Sequence, residues 1–224
     1  MAGSVETTVK PLPKGPHALS REEVADSQRT RLKSALTELL AEGGYAAVTI
    51  GELAKRAGVS RATFYERFAG KEECLLDAYD DFAAGILEAM TAGLDETTPW
   101  DEFLAAALGG YLRTLERDPV AARAFIVEMD GAGDAARARR REAMHTFAAV
   151  LHQRHGMFRA VDPSLGELPE RVYLGLTLGV RELVHERLEL EREPRLGELA
   201  PDVITWISAM VEGAGAAGAR SQLS

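Results

Sequence analysis

Residues 49–68 hold two short helix signals separated by a glycine turn, and that pairing constrains the chain more than any other feature. Thr49 and Glu52 stand at capping-box spacing: the threonine oxygen can accept from the Glu52 backbone N–H while the carboxylate reaches back, so a helix is predicted to begin there. Gly58 can take the left-handed backbone that ends it, and Ser60 can cap a second helix. In that second helix Phe64 and Phe68 lie one turn apart and are expected to bury together, while Arg61, Ala62, Thr63 and Tyr65 project toward other surfaces. Two helices joined this tightly form the helix-turn-helix geometry, which presents its second helix to the major groove of duplex DNA.

Elsewhere the pattern is also helical. A first helix is expected from Arg21 to Glu42, with Leu32, Ala35, Leu36, Leu39 and Leu40 as its apolar stripe and Gly43 and Gly44 as its stop. After Gly70 a long helix carries Leu75, Leu76, Tyr79, Phe82, Ile86 and Met90 on one face. Further helical segments are read at residues 100–116, 119–129, 134–155, 168–190 and 196–211, punctuated by glycines, prolines and Asp-Pro steps such as Asp118-Pro119 and Asp162-Pro163. No segment has the period of a strand. The predicted fold is all-α: a disordered arm over 1–19, a three-helix DNA-binding domain over 20–70, a helical domain over 71–216 and a flexible tail over 217–224. Lys10 and Lys14 give the arm a chance of touching the minor groove.

The whole chain carries a formal charge of −9, which suits a DNA binder only if the charge is unevenly distributed. It is: over residues 27–71 eight basic side chains face four acidic ones. Attraction to phosphate is therefore local, and the acidic remainder discourages other orientations. The single cysteine, Cys74, excludes an internal disulfide and sits among carboxylates that disfavour a thiolate, which fits a reducing cytoplasm and a packed, unreactive thiol. No apolar stretch is long enough to span a bilayer, so no membrane association is expected. His145, His152 and His155 share a helix without a carboxylate or cysteine partner, so neither a metal site nor a cofactor is expected. No convergent acid, base and nucleophile suggests an enzyme. Arg137–Arg141 reads as a solvated helix start rather than a second nucleic-acid patch, because consecutive charges cover opposite sides of a helix.

Residues from about Arg29 to Tyr79 resemble the DNA-binding domain of TetR-type bacterial transcriptional regulators: Gly43-Gly-Tyr45, Thr49, Leu53-Ala54, Ala57-Gly-Val-Ser60, Thr63-Phe-Tyr65, Phe68 and Lys71-Glu72 stand where that pattern expects them. The resemblance implies a homodimer that binds a palindromic double-stranded operator and releases it when a small, largely apolar molecule enters the helical domain. Within the head, Arg61 is expected to read a base edge, since arginine offers two donors to guanine, with Ala62 and Thr63 touching methyl or backbone groups. Thr49, Ser60, Tyr65, Arg67 and Lys71 are expected at phosphates, Tyr65 and Lys71 by direct match to the family pattern. Arg67 replaces a common histidine but keeps a donor.

For the pocket that the resemblance implies, the candidate lining is Phe82, Ile86, Phe103, Leu108, Tyr111, Phe125, Met129, Phe147, Tyr173 and Thr177, with ordinary core packing the alternative for each. The last two helices are the expected dimer interface. Leu174, Leu178, Leu183, Val203, Ile204, Trp206 and Ile207 exceed what one bundle face needs, and Gly175 and Gly179 allow close approach. The helix from Lys71 to Met90 is the expected lever between effector and head. A transcriptional activator of the same fold, or a helical partner-binding protein without an effector, are the competing expectations.

Overall fold

The computed structural model describes residues 20–93, 98–162 and 165–221, with side chains to residue 214. The expected arm over 1–19, the Pro163 step and the last three residues of the expected tail lie outside these. Among the described residues there are nine α-helices and no strand: α1 Arg21–Ala47, α2 Ile50–Arg56, α3 Arg61–Arg67, α4 Lys71–Thr91, α5 Trp100–Arg117, α6 Pro119–Ala122, α7 Asp134–Val161, α8 Glu170–Leu190 and α9 Ala200–Ser221. Among the same residues no helix is long and apolar enough to cross a membrane.

Local chemistry sets the boundaries in the N-terminal part. A reciprocal capping box opens α1: the Glu23 N–H donates to Ser20 Oγ (3.1 Å) and the Ser20 N–H donates to Glu23 Oε2 (2.7 Å). At the site where the sequence pattern suggested such a box, the threonine half is found, with the Glu52 N–H donating to Thr49 Oγ1 at 3.3 Å. Gly44, at φ +71°, breaks α1 where expected, although helical backbone resumes for the three residues beyond it. Gly58, at φ +65°, makes the turn between α2 and α3. Ser60 Oγ then accepts from the Thr63 N–H at 3.0 Å and starts α3. Around this frame Leu32, Leu36, Leu40, Leu53, Phe64, Phe68 and Leu75 are fully buried and form the core of the head. Each such side chain contributes roughly 1.5 to 3 kcal/mol of transfer free energy, so this small domain is held mainly by them.

The segment after α5 differs from expectation. In place of one helix over 119–129, α6 lasts a single turn, capped by Asp118, whose Oδ1 accepts from the Ala121 N–H at 2.9 Å. A π-helical turn over Arg123–Val127 and a 3₁₀ turn over Glu128–Ala132 follow. Two cores compete for the side chains here. Ala122 and Ile126 belong to the core of the body, whereas Ala121, Ala124, Phe125 and Met129 complete the core of the head. The widened turn frees the Ile126 carbonyl, which accepts from Arg181 Nη2 at 2.7 Å. Arg123 Nη1 donates to the Leu188 carbonyl at 3.1 Å, and Arg137 Nη1 donates to the Asp130 carbonyl at 3.1 Å. Arginines thus pin this irregular segment to α7 and α8 while it packs on α1.

Helix α7 extends to Val161 and the α9 backbone to Ser221, both past the expected ends. Head and body are joined by α4 and by the 119–132 segment. Phe125 is inserted beside Tyr79 and Phe82 of α4, with ring centroids 5.9 and 4.9 Å away.

Candidate nucleic-acid interface and effector cavity

Helix α3 buries Phe64 against Phe68, ring centroids 5.9 Å apart, and that contact fixes which side of the helix faces out. Arg61, Ala62 and Tyr65 are exposed and Thr63 is half-buried. Tyr65 stands edge-on to Phe64 with 53% of its surface open, so its phenol is held rigidly while remaining accessible. Thr49 and Ser60 lie exposed at the starts of α2 and α3. The hydroxyls of Ser60 and Thr63 are 2.9 Å apart, so these two share one hydrogen bond.

Most basic side chains of the head are engaged in holding it together. Arg29 Nε donates to Asp77 Oδ2 (3.0 Å), its Nη1 donates to the Arg67 carbonyl (3.1 Å), and its guanidinium lies 4.4 Å from the Phe68 ring centre. Lys33 bridges Asp77 (3.1 Å) and Asp81, Arg31 donates to the Ala57 carbonyl (2.9 Å), and Arg56 pairs with Glu42 (2.5 Å). Burial would raise the Asp77 carboxyl, but the hydrogen bonds from Arg29 and Lys33 outweigh it and hold the group below the usual carboxylate range. Arg67 Nε donates to Gln28 Oε1 at 3.0 Å and its guanidinium lies 3.8 Å from Glu66. Lys71 Nζ donates to the carbonyls of Tyr45 (3.0 Å) and Val48 (2.9 Å) and sits 4.1 Å from the Tyr45 ring centre. An ammonium has three donors, and these carbonyls occupy two of them. Of the eight bases between residues 27 and 71, only Lys55 and Arg61 have no hydrogen-bond or ion-pair partner among the described residues, and both are exposed. Sequence reading named Arg61 and passed over Lys55, whose position in the last turn of α2 was the available signal.

The body encloses a small cavity of about 70 Å³. Of the residues expected to line it, Phe82, Ile86, Leu108, Tyr111, Phe147 and Thr177 do so, reached from α4, α5, α7 and α8. The other four are placed elsewhere. Phe125 and Met129 complete the core of the head, because the π-helical turn rotates them away from the body. Phe103 stacks on Trp100, centroids 5.8 Å apart, and Tyr173 shares a hydrogen bond with His155 Nδ1, one turn of α7 beyond the cavity-lining Leu151. His155 is fully buried, and desolvation lowers it to about 4, with Arg159 and His152 adding repulsion. His145 and His152 are exposed. Burial raises the phenols of Tyr79, to about 12, and Tyr111, so both remain neutral donors at the cavity wall.

Sequence reading missed Arg181. It is 5% exposed, lines the cavity, and donates to the Ile126 carbonyl while lying 3.4 Å from Asp130 Oδ2. On α8 it sits between Val180 and Glu182, and no sequence signal separates it from a surface arginine. Cys74 is fully buried and desolvation pushes its thiol up to about 12, which keeps it protonated. Arg137, Arg139 and Arg140 are paired with Asp134, Asp80 and Asp130 respectively, as a structural helix start requires.

On α8 and α9 the apolar set divides. Val203 and Ile207 are buried in the body, Leu174 and Ile204 pack partly against it, and Leu178, Leu183 and Trp206 remain exposed at 43%, 38% and 41%. Trp206 rests on Gly179, where a Cβ would come within 3.1 Å of its ring.

A helix-turn-helix head with an open face on α3 is thus coupled to an all-helical body with an apolar cavity. Residues 32–78 match the family described as bacterial regulatory proteins, tetR family. The chain is 27% identical over 118 residues to the HTH-type transcriptional activator FasR of Mycolicibacterium smegmatis, covering 53% of this chain and 54% of that protein. It is 30% identical over 84 residues to the fatty acid metabolism regulator protein of Bacillus subtilis, covering 38% and 43%. The chain thus spans about half the length of these curated relatives. Its fold is similar to that of the transcriptional regulator FadR from Bacillus subtilis, solved in complex with stearoyl-CoA, with a TM-score of 0.71 over 79% of this chain and 95% of that one at 21% identity.

Proposed function

We propose that the chain acts as a homodimer that binds a palindromic operator through α3 and is controlled by a long-chain acyl compound held in the apolar cavity. The observation that carries the DNA half is the open face made by Arg61, Ala62 and Tyr65, an unpartnered cation and an accessible phenol on a head most of whose bases are internally paired, with a second unpartnered cation, Lys55, in the last turn of α2. Arg61 reads a base edge, Ala62 and Thr63 touch methyl or backbone groups, and Tyr65, Thr49, Ser60, Arg67 and the remaining Lys71 donor meet phosphates. Two copies paired through the exposed faces of α8 and α9 would set their α3 helices roughly 34 to 36 Å apart, one turn of duplex.

The acyl half is supported by the apolar cavity wall and by the fatty acid regulators among the relatives. Ligand pockets for molecules of that size typically enclose about 300 to 1,000 Å³. A cavity of about 70 Å³ must therefore widen to admit the ligand, and widening it displaces α4 and the 119–132 segment, the two connections to the head. Binding that favours the widened body depletes the DNA-competent arrangement, which gives repression relieved by effector. One relative is an activator, and in that case the same competition would switch transcription off.

Selection of bound duplexes from a random pool, followed by titration of the recovered site with acyl compounds, tests both halves. A palindrome is expected, with affinity falling at least about fivefold at saturating acyl compound. Recovery of no preferred site refutes the DNA half, and unchanged affinity at saturation refutes the acyl control.

A further inference from the structure

The cavity wall is apolar except for a few polar groups, and one of those is a full charge. Arg181 is buried with its guanidinium facing one carboxylate, Asp130, at 3.4 Å. That carboxylate is shared, because Arg140 Nε approaches its other oxygen at 3.0 Å. Glu182 lies 3.8 Å from Arg181 Nη1, but its side chain is 72% exposed and water screens it. Two guanidinium groups thus share one carboxylate whose side chain is 37% exposed, so the buried Arg181 has no buried counter-charge of its own at the cavity wall. A charge taken out of water is stabilised only by a partner of opposite sign with good hydrogen-bond geometry, and 3.4 Å to Asp130 is a long contact.

We propose that Arg181 is the anchor for an anionic head group, a carboxylate, on the apolar effector, and that this carboxylate competes with Asp130 for the guanidinium. The proposal rests on the acyl-effector reading above and adds the chemistry at the end of the chain. A planar carboxylate can take two parallel N–H donors from the fork of an arginine, which a thioester or alcohol oxygen cannot match. The exchange also has a consequence for the head. Arg181 holds the Ile126 carbonyl, and Asp130 belongs to the 3₁₀ turn over Glu128–Ala132 that packs on α1. In the same turn Glu128 Oε2 lies 3.1 Å from where a Cβ on Gly44 would stand, at the break in α1. Drawing Arg181 away from Ile126 and Asp130 loosens this turn, so the anion that anchors the ligand also releases the contact that positions the head.

Calorimetric titration of the full chain with dodecanoate, dodecanol and dodecanoyl-CoA tests this, alongside the variants Arg181→Gln and Asp130→Asn. Dodecanoate is expected to bind the unmodified chain at least about tenfold tighter than dodecanol, the preference of a charge-assisted hydrogen bond over a neutral one. Arg181→Gln should bring acid and alcohol to parity with dodecanol affinity retained, and Asp130→Asn should tighten dodecanoate alone by removing its competitor. Because the second variant keeps the buried arginine, it decides the matter even if the first is poorly folded. Equal affinity for acid and alcohol in the unmodified chain, or an acid-to-alcohol ratio that neither variant moves, overturns the anchor while leaving the acyl reading intact. Tight dodecanoyl-CoA binding with no preference for dodecanoate over dodecanol assigns the head group to the thioester and likewise overturns it. Failure of all three compounds to bind removes the acyl reading itself and the anchor with it.

Discussion

Gly110 on α5 lies so close to Ala89 on α4 that a Cβ added to it would stand 2.2 Å from the Ala89 carbonyl oxygen. This is a backbone contact, so no rotamer change relieves it, and α4 is the helix that runs from the head into the cavity wall. Gly110→Ala is expected to destabilise the chain by roughly 1 to 3 kcal/mol, the cost of forcing packed helices apart. The neighbouring Gly109 supplies the control. A Cβ there meets only the Arg113 guanidinium, the mobile end of a long side chain. Gly109→Ala should therefore be neutral or stabilising by up to about 1 kcal/mol, the gain of alanine over glycine in a helix. Urea unfolding midpoints compare the two, and equal shifts would show that the α4–α5 crossing tolerates expansion.

Arg61 and Lys71 are both candidate DNA contacts, yet the structure gives them different duties. Arg61 is exposed and makes no hydrogen bond or ion pair among the described residues, so Arg61→Ala should leave the melting temperature unchanged while lowering discrimination against altered operators by roughly 1 to 3 kcal/mol. Lys71 ties α4 to the carbonyls of Tyr45 and Val48, just ahead of α2. Lys71→Ala should lower the melting temperature and also weaken binding to all duplexes alike, with the salt slope smaller by about one unit. Thermal melts and salt-dependent binding, measured on the same preparations, separate these outcomes. An Arg61→Ala variant that loses affinity uniformly across sequences would remove the base-reading role.

What the sequence revealed and what it hid follow from the range of the forces involved. Gly58, Ser60, Thr49 and the Phe64–Phe68 pair act within a few residues of one another, and all of these were legible from spacing alone. The helix boundaries drifted where distant partners decide them. The 119–129 segment reads as one helix by periodicity, but Arg181, 55 residues away from Ile126 along the chain, takes a carbonyl from it and two cores divide its side chains. The same cause explains the split in the cavity lining. Phe125 and Phe82 have equal claims by periodicity, and only the turn geometry sends the first to the head's core and leaves the second at the cavity wall. Charge counting found the basic head but not its internal pairing, since Arg29 and Lys33 meet Asp77 across a separation of more than forty residues.

His155 makes stability depend on pH in a defined window. Its folded value of about 4 lies below the ordinary 6.5 because burial disfavours the charged ring, with Arg159 and His152 opposing it further. The unfolded chain therefore binds more protons than the folded one between these values. Stability is fully present above pH 6.5 and is lost as pH falls toward 4. Melting temperatures taken from pH 7.5 down to about 5, above the range where carboxylates titrate, should decline in the unmodified chain and stay flatter in His155→Gln. His152→Gln, at an exposed position, should keep the decline. An unchanged slope in His155→Gln would assign the pH dependence to other groups.

The division of apolar residues on α8 and α9 allows dimerisation to be separated from folding. Leu178 and Trp206 are exposed, while Val203 and Ile207 of α9 are buried in the body. Replacing the first pair, Leu178→Glu with Trp206→Ser, removes apolar surface available to a partner and sets a carboxylate in its place, without opening a hole in the body. Such a chain should sediment as a monomer, melt cooperatively, and bind an operator half-site with the affinity of a single head. Val203→Ala should do the reverse: it leaves the outer face intact and costs stability by creating a cavity, at roughly 0.8 kcal/mol per buried methylene lost plus the void. Sedimentation equilibrium over a range of concentrations, paired with a melt for each variant, reads both quantities. A double variant that remains dimeric would place the interface on another face and leave the exposed Trp206 without that role.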